Sequence, residues 1–216
     1  MRGVLLLGAA LAMTACATAT DTREIEPSMV AAGEVDVRGP RYIGYEGTLA
    51  PVADTVALDV KLSPGLAFRA NNVGERAGVQ GLRAGFATDG FLGENDLVRL
   101  REDVVEELTE RLVREGVRVD ASAPTVLRVQ MVDARPNRPT FEQLSNQPSL
   151  DFQSIGEGGA SFEGELIRAG GERLGAFEYG YYSDLATRPG VAGVWTDADR
   201  AIERMASRVA KELSEG

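Results

Sequence analysis

Residues 97–132 read LVRLREDVVEELTERLVREGVRVDASAPTVLRVQMV, and the apolar period changes partway through. Leu97, Leu100, Val104, Leu108 and Leu112 recur at helical spacing, with Val98, Val105 and Val113 on the flank. Glu107 with Arg111 and Glu110 with Arg114 are i,i+4 pairs in the favourable order. Asn95 or Asp96 is placed to cap the start, and Gly116 to stop the helix. Beyond Gly116 the period falls to two: Leu127, Val129 and Met131 alternate with Arg128 and Gln130. The stretch predicts one amphipathic helix, then extended segments at Val117 to Asp120 and Thr125 to Val132, with a turn between them.

Working outward, Val56, Leu58, Val60 and Leu62 alternate with Ala57, Asp59 and Lys61, and Pro64-Gly65 ends that strand. A glycine-rich segment from Leu66 to Gly93 reads either as short strands or as a binding loop. An irregular stretch follows from Asp133 to Gly158. Strands from Ala160 to Arg168 and Arg173 to Tyr182 then meet at Gly170-Gly171, a hairpin signal. The chain closes on a helix. Thr196 with Asp199 resembles a capping box, Asp197 suits the dipole, and Ala198, Ile202, Met205, Val209 and Leu213 form the apolar stripe.

Two amphipathic helices need one sheet face to bury against. The economical architecture is an α+β two-layer sandwich, a mainly antiparallel sheet of about four to five strands packed by two helices. Only one strand–helix–strand unit is visible, which argues against a doubly wound parallel sheet. A single domain is expected over residues 55–216.

The N-terminal sequence speaks to location. Met1-Arg2 precedes an apolar run from Val4 to Met13, and Thr14-Ala15-Cys16 follows, with Cys16 the only cysteine of the chain. Met13-Thr14-Ala15-Cys16 resembles the lipobox of bacterial lipoproteins. The expectation is a signal peptide over residues 1–15 and an acylated Cys16, with anchor and tether over residues 16–54. Ala15-Cys16-Ala17 also fits an ordinary secretory cleavage site. The apolar run falls short of the roughly 20 residues that a spanning helix needs. The polar segment from Ala17 to about Pro40 reads as a coil about 27 Å long on average. Arg41 to Tyr45 fits either a short leading strand or the linker. Ala17 after the cysteine resembles the pattern of lipoproteins sent to the outer membrane, so the expected position is its inner leaflet, facing the periplasm.

Composition excludes several functions. The formal charge of −10 repels nucleic acid and anionic head groups. The membrane contact is therefore expected through the N-terminal acyl chains and not through the folded domain. The absence of histidine rules out a Ser-His-Asp triad, a His base and any His metal ligand. No metal and no cofactor is expected.

The irregular stretch carries the most distinctive residues: Asp133-Ala134-Arg135-Pro136-Asn137-Arg138-Pro139-Thr140, then Phe141 to Leu144, then Ser154 to Ala160. Together with the closing Trp195-Thr196-Asp197 helix start, it resembles an uncharacterised family of proteobacterial lipoproteins. That family implies a location and a fold but no reaction.

Arg135, Asn137 and Arg138 lie between two prolines, which suits a stiff lip for an anion or a carbonyl; the same residues suit a strand-exit loop paired with an acidic surface. Gly156-Glu157-Gly158-Gly159 precedes a strand and not a helix, so it reads as a bulge or close backbone approach and not as a phosphate loop. Phe177, Tyr179, Tyr181 and Tyr182 suit either ligand stacking or cover for the sheet beneath a helix. Asp151, Glu157, Glu163 and Glu165 are carboxylates that suit glycoside hydrolysis or a solvated face. The expected function is a non-enzymatic, acyl-anchored envelope lipoprotein acting as a binding or accessory module, its partner an envelope protein or peptidoglycan. The alternative is a carboxylate-dependent hydrolase of cell-wall glycan.

Overall fold

The computed structural model describes residues 42–52, 54–72, 85–183 and 193–215. The expected signal peptide, Cys16 and most of the tether lie outside the described residues, as does part of the glycine-rich segment.

The strands are β1 (Tyr42–Leu49), β2 (Thr55–Leu62), β3 (Arg118–Val119), β4 (Thr125–Arg135), β5 (Gly159–Arg168) and β6 (Arg173–Tyr182). The helices are α1 (Pro64–Phe68), α2 (Glu94–Arg114), α3 (Phe141–Asn146) and α4 (Thr196–Ser214). One six-stranded sheet runs in the order β1-β6-β5-β4-β2-β3. It is antiparallel from β1 to β4, while β2 lies parallel to both β4 and β3. The α+β class is as expected, with six strands where four to five were expected.

The long helices form as their stripes require. Leu97, Leu100, Val104, Leu108 and Leu112 are all buried, whereas Val98, Val105 and Val113 stay exposed at the flank. Burying such side chains contributes about 1.5–3 kcal/mol each. At the end of α2, Gly116 takes φ 86°, its N–H reaches the Val113 carbonyl at 3.1 Å, and Val117 N–H reaches Leu112 at 2.9 Å. That is a Schellman motif, and it needs a residue at ease with positive φ. The expected cap from Asn95 or Asp96 is not formed: Gly93 holds the N-cap position without a side-chain bond. Ala198, Ile202, Met205, Val209 and Leu213 bury the inner face of α4.

Both helices lie on one face of the sheet. In register, Leu58, Val60 and Leu62 sit beside Leu127, Val129 and Met131. Phe162, Leu166, Phe177, Tyr179 and Tyr181 extend this layer, so the aromatic strand does cover the sheet beneath α4. Tyr181 lies under the Arg204 guanidinium, 4.5 Å from its ring centroid. Gly164 is where Phe177 folds over the strand; a β-carbon there would overlap the ring.

Three readings are refined. Of the two readings open at Arg41 to Tyr45, the leading strand is the one formed: the sheet begins at Tyr42, inside the segment assigned to anchor and tether. β1 is fastened to α4 by Glu212, which accepts the Tyr45 hydroxyl at 2.8 Å and Leu49 N–H at 3.0 Å. Only three of its residues are large and apolar at alternate positions, too weak a pattern to call alone. β4 also runs on through Asp133 to Arg135, past a bulge between Met131 and Asp133. Finally, Thr196 and Asp199 form no capping box: Trp195 is the N-cap, without a side-chain bond, and the Thr196 hydroxyl turns back to Gly193.

The two ends of the sheet differ. At one lie the tight turn before β4 and the hairpin at Gly170 and Gly171, whose φ values are 100° and 89°. At the other, Ala134 pairs with Ala160, Ala160 with Tyr181, and Tyr181 with Tyr42. The long connections after β2, β4 and β6 all leave from that second end, and the chain enters β1 there. Among the described residues no helix is long and apolar enough to cross a membrane.

Candidate functional site

The loop-bearing end concentrates the polar chemistry. On the face away from α2 and α4, Asp133 receives Arg69 Nη1 at 2.5 Å, Arg135 Nε at 2.8 Å and the Tyr182 hydroxyl at 3.0 Å. The bulge before Asp133 places it there, because it lets Ala134 keep the core face while Asp133 and Arg135 take the other. Burial alone would raise the Asp133 carboxyl. The charges of Arg69 and Arg135, with bonds from Arg69 and Tyr182, outweigh it and hold the pKa at about 2. Burial and the neighbouring carboxylate push the Tyr182 phenol well up. Arg135 lies 4.3 Å from the Tyr182 ring centroid, and its side chain is only 7% exposed. This is an internal ion cluster with its hydrogen bonds largely spent inside.

Asn137 is wholly buried. Its Nδ2 donates to Asp197 Oδ2 at 2.7 Å, and its Oδ1 accepts Asp197 N–H at 2.9 Å. Its main chain binds too: Asn137 N–H to the Val194 carbonyl at 2.6 Å, and Gly156 N–H to the Asn137 carbonyl at 2.9 Å. Asn137 thus caps α4 from a distant loop, doing for Asp197 N–H what a local cap does elsewhere. Arg200 completes the neutralisation of Asp197 at 2.5 Å.

Arg138 turns outward along the next loop, its Nη1 3.4 Å from the Phe152 carbonyl and 3.2 Å from that of Gln153. The three residues, read either as one lip or as a strand-exit loop, make separate contacts: Arg135 joins the ion cluster, Asn137 the helix clamp, and Arg138 the loop brace. The glycines after them permit the contacts. A β-carbon at Gly158 would overlap the Asn137 amide, one at Gly159 the Tyr181 carbonyl. Close backbone approach is the use of this segment.

The exposed surface at this end comes from the loop segments around Phe141 and Phe152. Thr140 and Gln143 form a full capping box, and Gln143 Nε2 reaches the carbonyls of Phe86 at 3.0 Å and Gly90 at 3.2 Å. α3 is thereby fixed with Phe141 pointing outward, 80% exposed. Asp151 bonds Gln153 N–H and Ser154 N–H, both at 2.8 Å, and closes the turn that presents Phe152, 69% exposed. The T-x-x-Q spacing was the readable signal for α3.

The four candidate carboxylates are dispersed. Asp151 is spent in its turn, Glu157 lies near Arg135, and Glu163 and Glu165 stand on the outer sheet face. Glu165 sits between Arg128 at 3.5 Å and Arg173 at 3.6 Å. Glu163 faces Glu178 across the strands, and Glu178 faces Glu46. An acidic groove of about 290 Å³ runs between α2 and α4, lined by Asp103, Glu106, Glu107, Glu110 and Glu203, with Arg99 between Asp103 and Asp199. Among the described residues no group of three His, Cys, Asp or Glu side chains is placed to hold a metal ion.

No family model and no curated protein matches the chain. Among solved structures, the chain is similar to a PelC variant dodecamer from Paraburkholderia phytofirmans: 12% identity, TM-score 0.42, covering 79% of this chain and 95% of that one. A second PelC dodecamer from that organism gives 13% identity, TM-score 0.38 and coverages of 79% and 94%. A minor lipoprotein from Acinetobacter baumannii gives 13%, 0.32, and coverages of 76% and 92%.

Proposed function

We propose that the protein is an acyl-anchored envelope lipoprotein, held through Cys16 in the inner leaflet of the outer membrane, whose α+β domain faces the periplasm as a non-enzymatic binding or accessory module. The observation that carries the reading is the lone cysteine at the end of Met13-Thr14-Ala15-Cys16, directly after an apolar run of signal-peptide length. The resemblance of the 133–160 stretch to proteobacterial lipoproteins supports the same compartment.

The site geometry supports binding over glycan hydrolysis. A hydrolase needs two carboxyl groups about 5 to 9.5 Å apart across a substrate cleft. Asp151 is tied into its own turn, and Glu163 and Glu165 stand on an open strand face among arginines and other glutamates. The loop end, by contrast, is braced by ion pairs and side-chain caps. The partner is an envelope protein or peptidoglycan.

Fractionation of the native host tests the reading. Wild-type protein sediments with outer membranes and resists high salt, and Cys16→Ser releases it or leaves it unprocessed. A soluble wild-type protein would contradict the anchor. Loss of glycan-cleaving activity in Glu163→Gln or Glu165→Gln would favour the hydrolase instead.

A further inference from the structure

We propose that Phe141, Phe152 and Ile155 form a membrane-docking tip, which seats in the head-group–acyl boundary of the zwitterionic bilayer to which the chain is tethered. The inference rests on the anchored-lipoprotein reading for the tether, and on the fold for the tip itself.

The three side chains are 80%, 69% and 57% exposed, on a molecule whose other aromatic rings are mostly buried. Phe141 and Phe152 meet edge-to-face with ring centroids 6.1 Å apart, so they present one joined apolar surface. Grouped exposure of this kind marks an interaction surface. It is also a built one. The capping box holds the root of Phe141, and the Asp151 turn and the Arg138 brace hold the root of Phe152. Phe68, 54% exposed at the end of α1, belongs to the same end of the sheet.

The position of the chain entry chooses the occupant. Residues 17–41 join Cys16 to Tyr42, and Tyr42 stands opposite Tyr181, at the end of the sheet from which the tip projects. A tether that enters at the same end leaves the tip within reach of the bilayer. Read as the coil its composition predicts, a link of this length gives an effective concentration of order millimolar, so a contact too weak for a free protein is populated. Charge sets the lipid. Glu142 and Asp151 flank the rings and the chain carries −10, which disfavours anionic head groups and leaves a zwitterionic surface.

The test uses the full chain, purified from host membranes and reconstituted into phosphatidylethanolamine–phosphatidylcholine vesicles. Acylation consumes the only thiol, so Phe141→Cys, Phe152→Cys and, as a control at the opposite end, Ser122→Cys each offer one site for an environment-sensitive fluorophore. All three positions are exposed, so folding is not at stake. Intact mass reads the anchor in the same samples. The expected result is a blue shift and shielding from an aqueous quencher at 141 and 152, none at 122, and weakening as phosphatidylglycerol is added. In Cys16→Ser chains the same shift should need about a hundredfold more lipid or beyond. Acylated protein with probes at 141 and 152 still in water would overturn the tip and leave the anchor standing. Unacylated protein whose probes shift on vesicles would do the reverse. A shift that needs no lipid and fades on dilution would assign the tip to a second copy and overturn the proposal.

Discussion

Asn137 and Asp197 lie 60 residues apart and bind each other twice, side chain to side chain at 2.7 Å and side chain to main chain at 2.9 Å. This pair couples the exit loop of β4 to the first turn of α4. Both residues are fully buried, so neither half of the contact is replaceable by water. Asn137→Ala should therefore lower stability by about 2–4 kcal/mol in denaturant unfolding. Asn137→Asp should cost more at neutral pH, where two carboxylates would face each other, and recover partly in acid. Thr196→Ala, at the position that resembles a local cap, should stay within about 1 kcal/mol.

The Asp133 cluster gives the fold an acid-sensitive element. Its folded pKa of about 2 lies below the ordinary aspartate value. The stabilisation is thus fully present above about pH 4 and is lost as pH falls toward 2, amounting to about 2–3 kcal/mol. Asp133→Asn should be destabilised at neutral pH, with Arg69 and Arg135 left unneutralised, and should show a flatter stability profile between pH 4 and pH 2. Urea midpoints across that range would read both.

The place of β1 predicts the true start of the domain. A chain beginning at residue 42 should give the same dispersed amide spectrum as one beginning at residue 36. One beginning at residue 55 should unfold or aggregate, since it exposes the edge of β6. Glu212→Ala, which removes the acceptor for Tyr45 and Leu49, should cost about 1–3 kcal/mol and speed amide exchange in β1 first.

Gly164→Ala should destabilise by about 1–3 kcal/mol through overlap with the Phe177 ring. Combining it with Phe177→Leu should recover part of that loss, a positive coupling in a double-mutant cycle.

The row Glu163, Glu178, Glu46 sets like charges directly opposite one another on the outer face. Glu178→Lys should raise stability by about 0.5 kcal/mol at low salt, and the gain should shrink as salt is added.

How far the fold was legible follows from how local each signal is. α2, the β5–β6 hairpin and the inner stripe of α4 were readable because their periods and glycines lie within a few residues. β1 was legible only as one of two readings of Arg41 to Tyr45, because what fastens it is the distant Glu212. The capping box of Thr196 and Asp199 matched in spacing and still failed, since Asn137 supplies the cap from another part of the chain. The lip of Arg135, Asn137 and Arg138 was drawn from neighbours in sequence, whereas a strand alternates its side chains and a bulge redirects them. Phe141 and Phe152 gave no sign of exposure, because an apolar residue in a polar loop reads as core until the loop is placed.

The central claim is the anchor, and intact-mass analysis of the native membrane fraction tests it most directly. Residues 16–216 carrying a diacylglyceryl mass, lost on Cys16→Ser, is the predicted result. An unmodified soluble chain starting at Thr18 or later would contradict it.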